Sequence, residues 1–374
     1  MRTMIKAPCI FILFISLWIA APSSSFAQMH AYKGEDSIDA IDVQAVYYVA
    51  QEVEPLPDWR ERVEYHLARV QKFHQREFAG QSNLTYTIHP APFVALATPD
   101  GFPQDDVNKF YWQIMNEVWH SGAIKWKDGA FPILLVMGDC NFSPGYDDWT
   151  RVCDADACFL EPPHEQCAGH VSGNGEDRPG SRAGGARSVY WAEKHIGLGL
   201  VTADGWRVPI KGTDCVTYHE GIGHAIGLPH PEPINNSVMG TAQYVDSIQT
   251  AWIDDDQKTA LNWTPVEINT DDLFSTFSIS HHPTKPMPSS PITLFAKLPL
   301  RFNVARAQAE VQRSLRQPFE ALPQPYRFHD EEYQYFSWSL PPLALNHSLA
   351  YRILVETQDG GSETIWNYLK VRNE

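Results

Sequence analysis

The stretch HEGIGHAIGLPH, residues 219–230, constrains this chain more than any other twelve residues in it. Three imidazoles and a carboxylate sit among small and apolar neighbours. If they served only to pack, each would need its own buried partner. On a regular α-helix each residue advances about 100°, so side chains four apart project within roughly 40° of each other and can meet at one ion. His219 and His224 are five apart, which on an ideal helix separates them by about 140°. Two repairs of this mismatch follow. A π-bulge can absorb one residue and realign the two histidines, and Gly221 and Gly223 supply permissive backbone for it. Alternatively, Glu220 and His224 form the i, i+4 pair, Glu220 is itself a ligand, and Gly221 stands where a base would be. The first repair uses both histidines and leaves a carboxylate free for proton transfer.

Downstream the spacing is regular. Gly227 can take the positive φ of a sharp turn, and Pro229 cannot continue a helix as donor. The chain then swings His230 back towards the helix as a third ligand, and Met239 follows nine residues later. The pattern resembles that of the metzincin metallopeptidases, H-E-x-x-H-x-x-G-x-x-H followed by a Met-turn. The resemblance is close over roughly 30 residues. It implies His219, His224 and His230 as ligands of one zinc ion, Glu220 as general base, Gly227 as the turn glycine and Met239 as the Met-turn methionine. Tyr244, five residues on, is assigned to packing under the site, with oxyanion stabilisation as the other role. The segment His219–His224, with its extra residue, is also similar to the H-E-x-x-G-H motif of dipeptidyl peptidase III; that similarity ends with the segment. The resemblance implies a zinc-dependent endopeptidase acting on peptides or proteins. The competing expectation is a catalytically silent extracellular binding protein stabilised by the same zinc.

The N-terminus bears on location. Arg2 and Lys6 precede the apolar run CIFILFISLWIAA and a small-residue segment ending at Ala27. This is the pattern of a secretory signal over residues 1–27. The run falls short of the roughly 20 residues that a membrane span needs. A secreted or periplasmic protein with no span in the mature chain is expected. Loss of Arg2 and Lys6 moves the formal net charge from −16 to −18, which disfavours nucleic acid as a partner. In an exported chain, Cys140, Cys153, Cys158 and Cys167 predict two disulfides stapling an insertion over 139–188, with all three pairings open. Cys215 is left over and is expected to be buried.

Hydrophobic periodicity predicts strands at 41–50, at 84–96 with an interruption near Pro90 and Pro92, at 131–139 and at 197–202. It predicts helices at 58–78, with Asp58 as cap, at 104–122 and at 250–263. With the resemblance, this gives an α+β fold class: a metzincin-like domain over 28–265, built on a mixed twisted sheet with long helices. From 266 to 374 the chain turns to short β-rich runs broken by Pro, Gly and Asp, which predict a small β-sandwich. One helical stretch, 305–319, interrupts it.

Overall fold

The computed structural model describes residues 27–103, 105–142, 170–171, 177–178, 185–242, 247–344 and 348–371. The leader reading on residues 1–27 falls almost wholly outside them. So do Cys153, Cys158, Cys167 and Tyr244, and with them the disulfide expectation and the role given to that tyrosine.

The fold is mixed α+β. Its first part is a six-stranded sheet with the order β2-β1-β4-β8-β7, in which β3 also pairs with β1. The strands are β1 (Ala40–Val49), β2 (Asn83–Ile88), β3 (Phe93–Val94), β4 (Phe131–Gly138), β7 (Arg187–Trp191) and β8 (Ile196–Val201). Two further two-residue strands, β5 (His170–Val171) and β6 (Asp177–Arg178), pair with each other. All pairings in the large sheet are parallel except β7 with β8. β1 is buried along nearly its whole length, as expected of a central parallel strand covered on both faces.

Each face of the sheet feeds its own core. Ile41, Val43, Ala45 and Tyr47 of β1 join Val63, Leu67 and Val70 of helix α1 (Trp59–Glu77) on one side. Val46 and Tyr48 join Phe110, Ile114 and Val118 of helix α2 (Val107–His120) on the other. This alternation follows from the period of two along a strand. The histidine segment lies on the α1 face, after the short helices α3 (Ala203–Trp206) and α4 (Thr213–Tyr218).

The second part comprises two four-stranded antiparallel sheets. One has the order β13-β14-β10-β9, the other β12-β11-β15-β16. Their strands are β9 (Ser278–His282), β10 (Ile292–Pro299), β11 (Val304–Gln312), β12 (Glu320–Ala321), β13 (Tyr326–His329), β14 (Tyr333–Leu340), β15 (Ser348–Thr357) and β16 (Ser362–Lys370). Residues of both sheets share one hydrophobic cluster, with Leu294, Val311, Trp338 and Ile353 among its members. Phe274 belongs to the preceding core and Phe277 to this one. No helix among the described residues is long and apolar enough to cross a membrane.

Three expectations are corrected. The stretch 305–319 is not helical; residues 304–312 form β11, paired with β15. Ala307, Ala309 and Val311 face inward and Gln308 and Glu310 are less buried, so non-local pairing overrides the helix propensity of an Ala-, Arg- and Gln-rich run. The helix read at 250–263 contracts to Asp255–Ala260. Asp58 precedes α1 without capping it; its carboxylate instead accepts from Arg62 Nε (3.0 Å) and Gln312 Nε2 (3.0 Å).

Arg62 is the first of three buried arginines on α1, with Arg69 and Arg76, spaced by seven and aligned on one face. Arg62 donates to the Arg207 carbonyl and to Gln312. Arg76 donates to the carbonyls of Gln249 and Ala251. Arg69 pairs with Asp214 at the start of α4 (2.9 Å) and with Glu363 of β16 (3.1 Å). A single guanidinium therefore joins the helix leading into the histidines to the C-terminal sheets.

Candidate metal centre

α4 runs directly into a π-helical turn, His219–Gly223, and then a single 3₁₀ turn, His224–Ile226. The wider π turn accommodates the extra residue, so His219 and His224 emerge on the same side. Gly227 follows at φ +87°, a conformation that an L side chain would strain. The chain turns there and brings His230 back. His219 Nε2 lies 3.1 Å from His230 Nε2, and His224 Nε2 lies 3.2 Å from it. The three ligand atoms all fall within 4.8 Å of one another.

The sheet beneath is shaped for this turn. On β8, a Cβ added at Gly199 would lie 2.9 Å from the carbonyl oxygens of both Glu220 and Gly221. A Cβ on Gly197 would lie 2.5 Å from the Ala225 carbonyl oxygen. Both positions must lack a side chain for the turn to rest on the strand. From the other side Met239, fully buried, fills the space over Gly223, where a Cβ would overlap its sulfur.

The protonation pattern suits a cation. His219 Nδ1 is 2.8 Å from the Val238 carbonyl oxygen, and His224 Nδ1 is 2.6 Å from that of Leu228. A carbonyl only accepts, so each Nδ1 carries the proton and each Nε2 presents a lone pair. Those lone pairs converge on one point, and the second-neighbour carbonyls fix the ring orientations as they do around bound metals. Nitrogens on a tetrahedral ion at about 2.0–2.1 Å stand roughly 3.3 Å apart, close to the separations found here. Burial, chiefly, holds His219 well below the usual imidazole range and His224 down at about 4, so both rings are neutral at pH 7. His219, His224 and His230 could therefore hold a metal ion.

Glu220 stands apart from this set. Its Oε1 is 4.0 Å from His219 Nε2, and its side chain is 18% exposed. It lines a cleft of roughly 760 Å³ together with His224, His230, Tyr32, Arg187 and Tyr190. Burial pushes its carboxyl up to about 7, against the positive charge of Arg187 and aided by the negative charge of Asp204. A divalent ion at the histidines would draw it down again. Of the sequence-derived residues, His219, His224, His230, Gly227 and Met239 are thus brought together, with Glu220 beside them.

Other residues of the cleft were not read from the sequence. β7 begins in a segment read as the end of a loop, yet it forms the antiparallel edge strand next to the histidines. Ser188 donates to the backbone carbonyl of Glu220, and Tyr190 donates to Asp36 (2.6 Å). The available signal was the run RSVYW, aromatic and β-branched, just before the predicted strand. The GLG of β8 was a second signal, of close backbone approach.

No family model matches the chain, and no curated protein matches it. Among solved structures, the chain is similar to one of Astrotactin-2, a conserved vertebrate-specific and perforin-like membrane protein involved in neuronal development. The identity is 13%, with 26% of this chain and 22% of that one covered, at a TM-score of 0.22. It is also similar to a chain from a structure on T cell specificity and activation by the bacterial superantigen toxic shock syndrome toxin-1. The identity there is 9%, with 26% and 98% covered, at a TM-score of 0.19. The chain thus spans about a fifth of the first of these.

Proposed function

We propose that this chain is an exported zinc-dependent endopeptidase of metzincin-like architecture, with its two C-terminal sheets forming a small β-sandwich. The observation that carries this reading is the convergence of three imidazole lone pairs beside a carboxylate, in an open cleft lined by the start of β7.

His219, His224 and His230 would hold the ion. Held by three neutral imidazoles, zinc supplies Lewis acidity to a water and a carbonyl. Glu220 does the proton chemistry: its carboxylate takes a proton from the attacking water and returns it to the leaving amine. Among the described residues β7 ends the strand order of the sheet, and its outer edge would take an extended peptide as a further strand. That edge favours an extended peptide over a compact substrate.

The test is Glu220→Gln assayed on a fluorogenic peptide library beside metal analysis. Zinc is retained, and cleavage falls by roughly 10²- to 10⁴-fold. Undiminished cleavage by the variant would remove Glu220 from the mechanism. A zinc-loaded parent that cleaves no peptide would leave the silent binding protein as the better reading.

A further inference from the structure

The cleft differs in charge from the rest of the molecule. The chain carries a formal net charge of −16, yet the charged side chains lining the cleft are Lys33, Arg187 and Glu220. Two of the three are positive. Lys33 Nζ lies over the Tyr32 ring, 5.1 Å from its centre. Arg187 shares the cleft with Glu220, whose carboxyl its charge draws down without forming an ion pair among the described residues.

Arg187 opens β7. Ser188 and Tyr190 take the face of the π turn, so Arg187 takes the opposite face, where α2 begins. Its Nη1 donates to the Asn108 side-chain oxygen, and its guanidinium carbon sits 5.7 Å from the centre of the Tyr111 ring. Among the described residues it forms no ion pair, and it is exposed to the cleft. A guanidinium has five N–H donors in a rigid fork, and the Asn108 bond uses one. An amide and a ring hold the group in place while most of its donors remain open. Little further ordering is needed when a ligand arrives.

We propose that Arg187 is the specificity-determining residue of this cleft and that it binds a carboxylate of the substrate. This rests on reading the cleft as a peptide site. The carboxylate comes either from an acidic side chain or from the C-terminus of the peptide; both match the planar fork. Asn108 and Tyr111 are positioning residues that aim the guanidinium.

Calorimetric titration of zinc-loaded Glu220→Gln protein, which binds without turnover, separates these. Matched peptides differ only in Glu against Gln at each position, and in a free against an amidated C-terminus. The carboxylate-bearing peptide of one pair binds about tenfold tighter. Arg187→Gln abolishes that preference and Arg187→Lys restores part of it. The pair that shows the preference identifies the source of the carboxylate. Equal affinity across all pairs, a preference that survives Arg187→Gln, or no binding by any peptide overturns the proposal. Cleavage by the parent enzyme without acidic preference would overturn it while leaving the hydrolytic reading intact. Selective binding without cleavage by the parent would do the reverse.

Discussion

The Val238 carbonyl oxygen lies 2.8 Å from Nδ1 of His219, so the loop that carries Met239 orients the ring that an extra helical residue would otherwise turn away. The same loop buries Met239 against Gly223. One segment therefore sets both the direction of the first imidazole and the space available to the turn that carries it.

Two glycine substitutions should differ in effect for that reason. A Cβ at Gly199 meets two backbone carbonyls of the π turn, which cannot move without breaking it, whereas a Cβ at Gly223 meets the flexible side chain of Met239. Gly199→Ala is expected to cost about 1–3 kcal/mol, as overpacking does, and to weaken metal binding more than Gly223→Ala. Urea unfolding and zinc titration of both variants check this ordering; the reverse order would mean that β8 does not support the turn.

Much of this frame was legible in the sequence. The periodicities of α1, α2, β1, β4 and β8 are local properties of apolar side chains, and the structure places each element within a few residues of its expected position, with α1 at Trp59–Glu77 and β4 at Phe131–Gly138. The two corrections at 250–263 and 305–319 arise where partners distant in sequence decide. β11 becomes a strand because β15, over thirty residues on, supplies its hydrogen bonds. The arginine stripe has no local signature for the same reason: Glu363, which pairs with Arg69, lies 294 residues further on. At the site, ligand types and spacing were readable, whereas the cleft wall depends on an antiparallel register that no local pattern encodes.

Arg69 gives the most direct test of the junction. Its partners Asp214 and Glu363 are 7% and 3% exposed, so Arg69→Leu leaves buried carboxylates short of their counter-charge. A loss of about 3–5 kcal/mol is expected. Adding Asp214→Asn should recover part of it, because the two changes remove one interaction. Chemical denaturation of the single and double variants gives the coupling. Strict additivity would contradict a shared network.

Stability should also fall in mild acid through two histidines outside the metal centre. Burial pushes His66 down to about 4, with Asp214 opposing, and His74 down to about 3. Below the unfolded value near 6.5, the unfolded chain takes up protons that the folded one refuses. The loss begins there as pH falls and levels off only below the folded values; above 6.5 neither group contributes. At pH 5 each costs about 2 kcal/mol. His74 bonds to Ser82 (2.8 Å) and Tyr218 (3.1 Å), which Gln can partly replace. In metal-free protein, His74→Gln should lose less stability between pH 7 and 5 than the parent. Identical pH slopes would show that His74 titrates normally.

The central claim is that a π turn delivers His219 to the same ion as His224 and His230. Zinc stoichiometry and affinity, measured on the parent and on His219→Ala, His224→Ala and His230→Ala, test it most directly. One ion per chain is expected in the parent, with affinity reduced by orders of magnitude in each of the three variants. Retention of parental affinity by His219→Ala, with loss in the other two, would contradict the account.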